Sequence, residues 1–142
     1  MPSKAFYDLH IHSCLSPCGD DDMTPNNIVN MAAIKGLNAI AITDHNSTLQ
    51  LPSIMELSSS YNMLVIPGVE VSTKEGYHVV CLFKSLNDAN AFQSVLENFL
   101  KVPLYIYSCT NPPQNGFDGY ILPKLYILLN SLFNDIELWE NS

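Results

Sequence analysis

The stretch Ala5-Phe6-Tyr7-Asp8-Leu9-His10-Ile11-His12 decides how this 142-residue chain is read. Phe6, Asp8, His10 and His12 alternate with Tyr7, Leu9 and Ile11, which is the period-2 pattern of a β-strand. Two imidazoles then project from one face, close enough to share a metal ion. A His-x-His pair alone fits a polar surface patch equally well, so the rest of the chain has to decide.

Ser13 to Met23 contains Ser16-Pro17, Cys18-Gly19 and Asp20-Asp21-Asp22, and reads as a loop. Thr24 and Pro25 then supply an N-cap and first helical residue. Ile28, Met31, Ala32 and Ile34 form a helical stripe that Gly36 can end. Ala39-Ile40-Ala41-Ile42, inside the run Asn38–Thr43, is continuously apolar, as in strands covered on both faces. It ends at Asp44-His45. A helix over about Leu51–Ser60 follows, with Pro52 near its start, then a strand Met63–Ile66 ending at Pro67-Gly68-Val69-Glu70. Tyr77–Phe83 reads as a further strand and Asn87–Leu100 as a helix.

The order β-α-β-α-β-β-α predicts an α/β fold with a parallel or mostly parallel sheet and helical crossovers. Functional groups in such folds gather at the carboxyl ends of the strands, where His12, Asp44, His45 and Glu70 fall. Beyond Val102 the character changes. Pro103–Tyr107 reads as a strand, Cys109–Gly119 is rich in Asn, Pro and Gly, and Tyr120–Trp139 is an apolar segment of one helix or two.

Composition narrows the function. An apolar fraction of 47% with 14% charged residues describes one ordinary globular domain. A net charge of −8 opposes general nucleic-acid binding, but admits a small phosphorylated substrate if metal ions reverse the local sign. The N-terminus lacks signal-peptide architecture and no apolar run is long enough to cross a membrane, so a cytoplasmic location is expected. Cys14, Cys18, Cys81 and Cys109 match neither a disulfide scaffold nor a zinc ribbon. Free thiols are expected, and a redox or ligand role for Cys14-x-x-x-Cys18 carries less weight than inert thiols.

Several residues carry competing readings. Glu70 closes an apolar strand, where a buried carboxylate is costly unless paired or bound to a cation, so a bridging role suits it. Asp44 before His45 is either part of a site or a turn cap. His78 is a ligand or a satisfied edge histidine. The Asp20–Asp22 run is a solvated loop whose charge complements the following helix, or the source of one more ligand.

Taken together, Asp8-Leu9-His10-Ile11-His12-Ser13, Thr43-Asp44-His45-Asn46, Ile66-Pro67-Gly68-Val69-Glu70 and His78 resemble the polymerase and histidinol phosphatase (PHP) family of metal-dependent phosphoesterases. The resemblance spans roughly Ser3 to Leu100. It implies a partial, distorted (β/α)7 TIM-like barrel, with residues 1–102 as the N-terminal part of a PHP domain and 103–142 as a divergent apolar segment. It also implies up to three divalent ions, zinc, manganese or iron, with fewer expected here. His10, His12 and Glu70 would hold the first ion. Glu70 would bridge to a second that also takes His78, and His45 would bind a third with Asp20, or else Asp22. Asp8 and Asp44 would orient imidazoles, and Asp44 and Glu70 are the candidate catalytic residues. The implied reaction is hydrolysis of a phosphomonoester or phosphodiester by metal-activated water.

The family pattern continues with a later His and an Asp-x-His motif, whereas this chain has no histidine after His78. A truncated, frameshifted or diverged gene is therefore expected, with impaired activity. The alternative is a non-catalytic metal-binding or interaction module that retains half of the fold and self-associates through open sheet edges or its apolar tail. An amidohydrolase-like enzyme also starts from a strand-borne His-x-His, but it needs a Lys or further His ligands that this chain lacks.

Overall fold

Thr24 opens the first helix as its side chain predicts. Its Oγ1 accepts the Asn27 N–H at 3.4 Å, and Pro25 occupies the first turn, where a missing N–H costs nothing. Gly36 closes the helix in the left-handed region, at φ 70°. The Gly36 and Leu37 amides then reach back to the Ala33 and Ala32 carbonyls, a Schellman motif. A computed structural model describes residues 4–73 and 76–100. Within them lie β1 (Tyr7–Ile11), α1 (Pro25–Ile34), β2 (Ala39–Ile42), α2 (Leu51–Ser58), β3 (Leu64–Ser72), β4 (His78–Leu82) and α3 (Leu86–Leu100). The expected strand at 103–107 and the apolar tail lie outside the described residues.

The four strands form one sheet in the order β1-β2-β3-β4. β1, β2 and β3 run parallel through the crossovers α1 and α2, whereas β4 returns antiparallel to β3. The register between β1 and β2 shifts between Asp8 and Ile11, immediately before the paired histidines. His12 lies one residue beyond β1 rather than inside it.

β3 is longer than its sequence suggests. Leu64–Pro67 pairs with β2 and Gly68–Ser72 pairs with β4, so the strand changes partner at Pro67-Gly68. Glu70 is therefore interior to the strand, opposite Val80, and not at its end. Its neighbours Val69 and Val71 are both fully buried.

The core joins Ile28, Val29 and Ala32 of α1 to Ile40 and Ile42 of β2, Ile54 of α2, Val65 and Val69 of β3, and Phe92 and Leu96 of α3. The stripe of α1 differs from its expectation at two places. Met31 and Ile34 are exposed, and Val29 faces the core in their stead. Phe92 packs against Phe83 with ring centroids 5.3 Å apart, seating α3 beside the end of β4. The result is an α/β fold whose sheet carries the first part of the expected barrel. The seven-fold count itself lies beyond the described residues.

Gly68 has a specific packing reason. A Cβ there would meet the Ile42 carbonyl oxygen and Thr43 Cγ2 at 2.9 Å and Leu82 Cδ2 at 3.0 Å. Gly68→Ala should therefore destabilise the fold by about 1–3 kcal/mol in chemical denaturation; an unchanged midpoint would show that the strand handover tolerates a side chain.

Candidate metal centre

Glu70 is the common point of the four histidines. Its side chain is 6% exposed. Oε2 lies 3.4 Å from His10 Nε2, 3.2 Å from His12 Nε2 and 3.4 Å from His45 Nδ1, while Oε1 lies 3.1 Å from His78 Nδ1. His10 and His12 turn their Nε2 atoms to within 3.0 Å of each other, and the rings of His12 and His45 stack at 4.8 Å. Three groups of donor atoms each lie within 4.8 Å of one another: His10, His12 and Glu70; His45, Glu70 and His78; and His12, Cys18 and His45. Nitrogen, carboxylate and thiol donors at this density suit borderline divalent ions such as zinc or ferrous iron.

Neighbouring hydroxyls and backbone set the ring orientations. Ser16 Oγ sits 3.0 Å from His12 Nδ1, which leaves Nε2 for Glu70, and it accepts the His45 N–H at 3.2 Å. Ser72 Oγ lies 3.3 Å from His45 Nδ1. Asn46 takes φ 53°, a conformation Asn tolerates, donates its N–H to the Glu70 carbonyl and accepts the Ser72 N–H through Oδ1. The parallel bridge from His45 to Glu70 thus continues past the end of β2.

The acidic residues are placed differently from their expectation. Asp44 is buried, but its oxygens accept bonds from the Ser13 N–H at 2.6 Å and the Ser13 hydroxyl, not from an imidazole. Burial raises its pKa, and the Ser13 bonds oppose that shift. Asp8 accepts the His10 backbone N–H at 3.2 Å. Asp20 is exposed, and its Oδ1 accepts the Asp22 N–H at 3.0 Å in a local turn. Among the described residues neither Asp20 nor Asp22 belongs to a donor group, and the loop instead brings Cys18 to His12 and His45. The local signal in Cys14-x-x-x-Cys18 was too weak to single it out, because its neighbours at the site are remote in sequence.

The PHP domain profile matches residues 8–114, three quarters of the chain, with the motifs that carry the cluster inside it. The chain belongs to the PHP domain family. The 5'-3' exoribonuclease Rnm of Salmonella typhimurium is 39% identical over 69 residues, covering 47% of this chain and 22% of that protein. The 3',5'-nucleoside bisphosphate phosphatase of Chromobacterium violaceum is 34% identical over 73 residues, covering 51% of this chain and 25% of that one. A solved structure from Bifidobacterium adolescentis, provisionally assigned as a metal-dependent phosphoesterase, superposes with a TM-score of 0.51 at 25% identity, covering 70% of this chain and 34% of its own. This PHP domain thus spans about a quarter of those two curated relatives. Among the described residues, no helix is long and apolar enough to cross a membrane.

Burial lowers the pKa of both His12 and His45, more than the Glu70 charge raises it. The shift favours the neutral imidazole, the state with a lone pair for a metal. For the chelator-treated PHP domain the sign follows directly. Below the ordinary histidine value of 6.5 the unfolded chain binds protons that the folded chain resists. Stability should therefore fall as pH drops through 6.5, and His45→Gln should flatten that slope. Denaturation midpoints across this range test it; a slope unchanged in the variant would remove His45 from the effect.

Proposed function

We propose that this PHP domain is a metal-dependent phosphoesterase, with His10, His12, His45, Glu70 and His78 as ligands of zinc, manganese or iron. The observation that carries the reading is the single buried carboxylate that touches all four imidazoles, one oxygen toward three and the other toward the fourth. A carboxylate withdrawn from water needs cationic company, and neutral imidazoles alone do not supply it. Divalent ions between Glu70 and the rings would.

When bound, the ions supply water activation and positive charge opposite phosphate oxygens. The chain's own part is orientation. Ser16 fixes the His12 ring through Nδ1, Ser72 flanks the His45 Nδ1 that faces Glu70, and the Asp44–Ser13 bonds fix the loop that carries Ser16. A cavity of about 630 Å³ between β1 and α1 borders His10 and His12 and includes Lys35, Asn27 and Met31, an approach for a small phosphorylated substrate. Phosphate-ester hydrolysis is common to the named relatives, one of which acts as an exoribonuclease. Net charge therefore does not exclude a short nucleic-acid end as substrate.

Zinc- or manganese-dependent release of p-nitrophenol from its phosphate esters tests the reading. Glu70→Gln should lower it beyond the roughly 10–100-fold typical of outer-shell changes. Release that persists in this variant would overturn the assignment. Ser16→Ala, which leaves every proposed ligand in place, should weaken metal affinity by about 10–100-fold in competition titrations with a chelating dye; unaltered affinity would show that the hydroxyl does not orient His12.

A further inference from the structure

The loop between β1 and α1 is built to hold Cys18 beside the histidines. Ser16 N–H donates to the Ser13 carbonyl at 3.0 Å and Gly19 N–H to the Ser16 carbonyl at 2.9 Å, so the chain folds back on itself over successive tight turns. A Cβ at Gly19 would stand 2.0 Å from the Ser13 carbonyl oxygen, which makes glycine obligatory after Cys18. Cys14 N–H bonds to the Met23 carbonyl at 2.8 Å and closes the loop's base. Ser16 Oγ, already against His12 Nδ1 and the His45 N–H, is 3.7 Å from Cys18 Sγ. The thiol is thus tied to the same hydroxyl that orients the His12 imidazole and anchors the His45 backbone.

We propose that Cys18 is a thiolate ligand of the centre, forming with His45 and His12 a pole that takes a thiophilic divalent ion. The donor atoms of these three residues lie within 4.8 Å of one another. Asp20, the carboxylate that could have served in this loop, is instead exposed and bonded to the Asp22 amide. A sulfur donor replaces oxygen at this pole, and soft or borderline ions such as zinc and ferrous iron are favoured there over manganese or magnesium. Binding releases the thiol proton to solvent. Because a nitrogen lone pair serves one ion, an ion held with Cys18 competes with the Glu70 groups for any ring nitrogen of His12 or His45 that both would use. The proposal rests on the reading of the histidine cluster as a metal centre.

Cobalt(II) substitution tests it by spectroscopy, independently of activity. Metal-stripped protein reloaded with cobalt(II) should show the intense near-ultraviolet thiolate-to-cobalt charge-transfer band. Cys18→Ser should lose the band, and Cys14→Ser should keep it. Zinc should also shield Cys18 from alkylation, read by peptide mass spectrometry, and a chelator should restore the reaction. Cobalt that binds without the band, or a band that survives Cys18→Ser, would overturn the thiolate ligand while leaving the Glu70 centre standing. A protein that binds no cobalt at all would overturn the metal centre, and this proposal with it.

Discussion

Burial of the Glu70 carboxylate governs this structure. A carboxylate withdrawn from water costs several kcal/mol unless partners replace its hydration. Here four imidazoles close around it, from β1 and its following loop, from the segment after β2, and from the start of β4. Each element must then present a ring toward one point, so the sheet is organised around β3. The partner switch at Pro67-Gly68 follows from this arrangement. It lets a single strand pair with β2 on one stretch and β4 on the next, with Glu70 facing contributions from both sides. Gly68 permits it, because only hydrogen fits against the Ile42 carbonyl.

The apolar core and the polar centre depend on each other. Val69 and Val71 flank Glu70 in sequence and pack into the interior while the carboxylate points to the histidines, the alternation natural to a strand. The loop after β2 is anchored from behind. Gln93 of α3 accepts the buried Thr48 N–H at 2.8 Å, and Asp44 holds Ser13 from the other side. His45 therefore sits on backbone fixed from two directions. Beyond Glu70 itself, positioning is supplied by hydrogen bonds of Ser13, Ser16, Asn46 and Ser72, rather than by Asp8 or Asp44 reaching the rings.

Much of the fold was legible because its signals are local. The alternation of Phe6 to His12, the Thr24-Pro25 start, the Gly36 stop and the apolar run Ala39–Ile42 each report a backbone state within a few residues. The antiparallel return of β4 was less legible. Tyr77–Phe83 reads as a strand in either direction, and direction depends on a connection too short for a helix. The histidines and Glu70 could be read as a set because titratable residues are uncommon against such apolar runs. Asp20, Asp44 and Cys18 could not be sorted in this way. Asp20 satisfies itself two residues on, Asp44 satisfies Ser13 thirty-one residues away, and Cys18 acquires its neighbours through a loop whose shape hangs on Gly19. Contacts of that range are not encoded in spacing.

The central claim is that Glu70 is the shared carboxylate of a metal centre. Anomalous scattering at the zinc edge from crystals of the zinc-loaded protein measures this directly. The account predicts anomalous peaks within bonding distance of both Glu70 oxygens, one on the His10–His12 side and one on the His45–His78 side. Peaks confined to other parts of the surface, with Glu70 bonded only to protein, would contradict it.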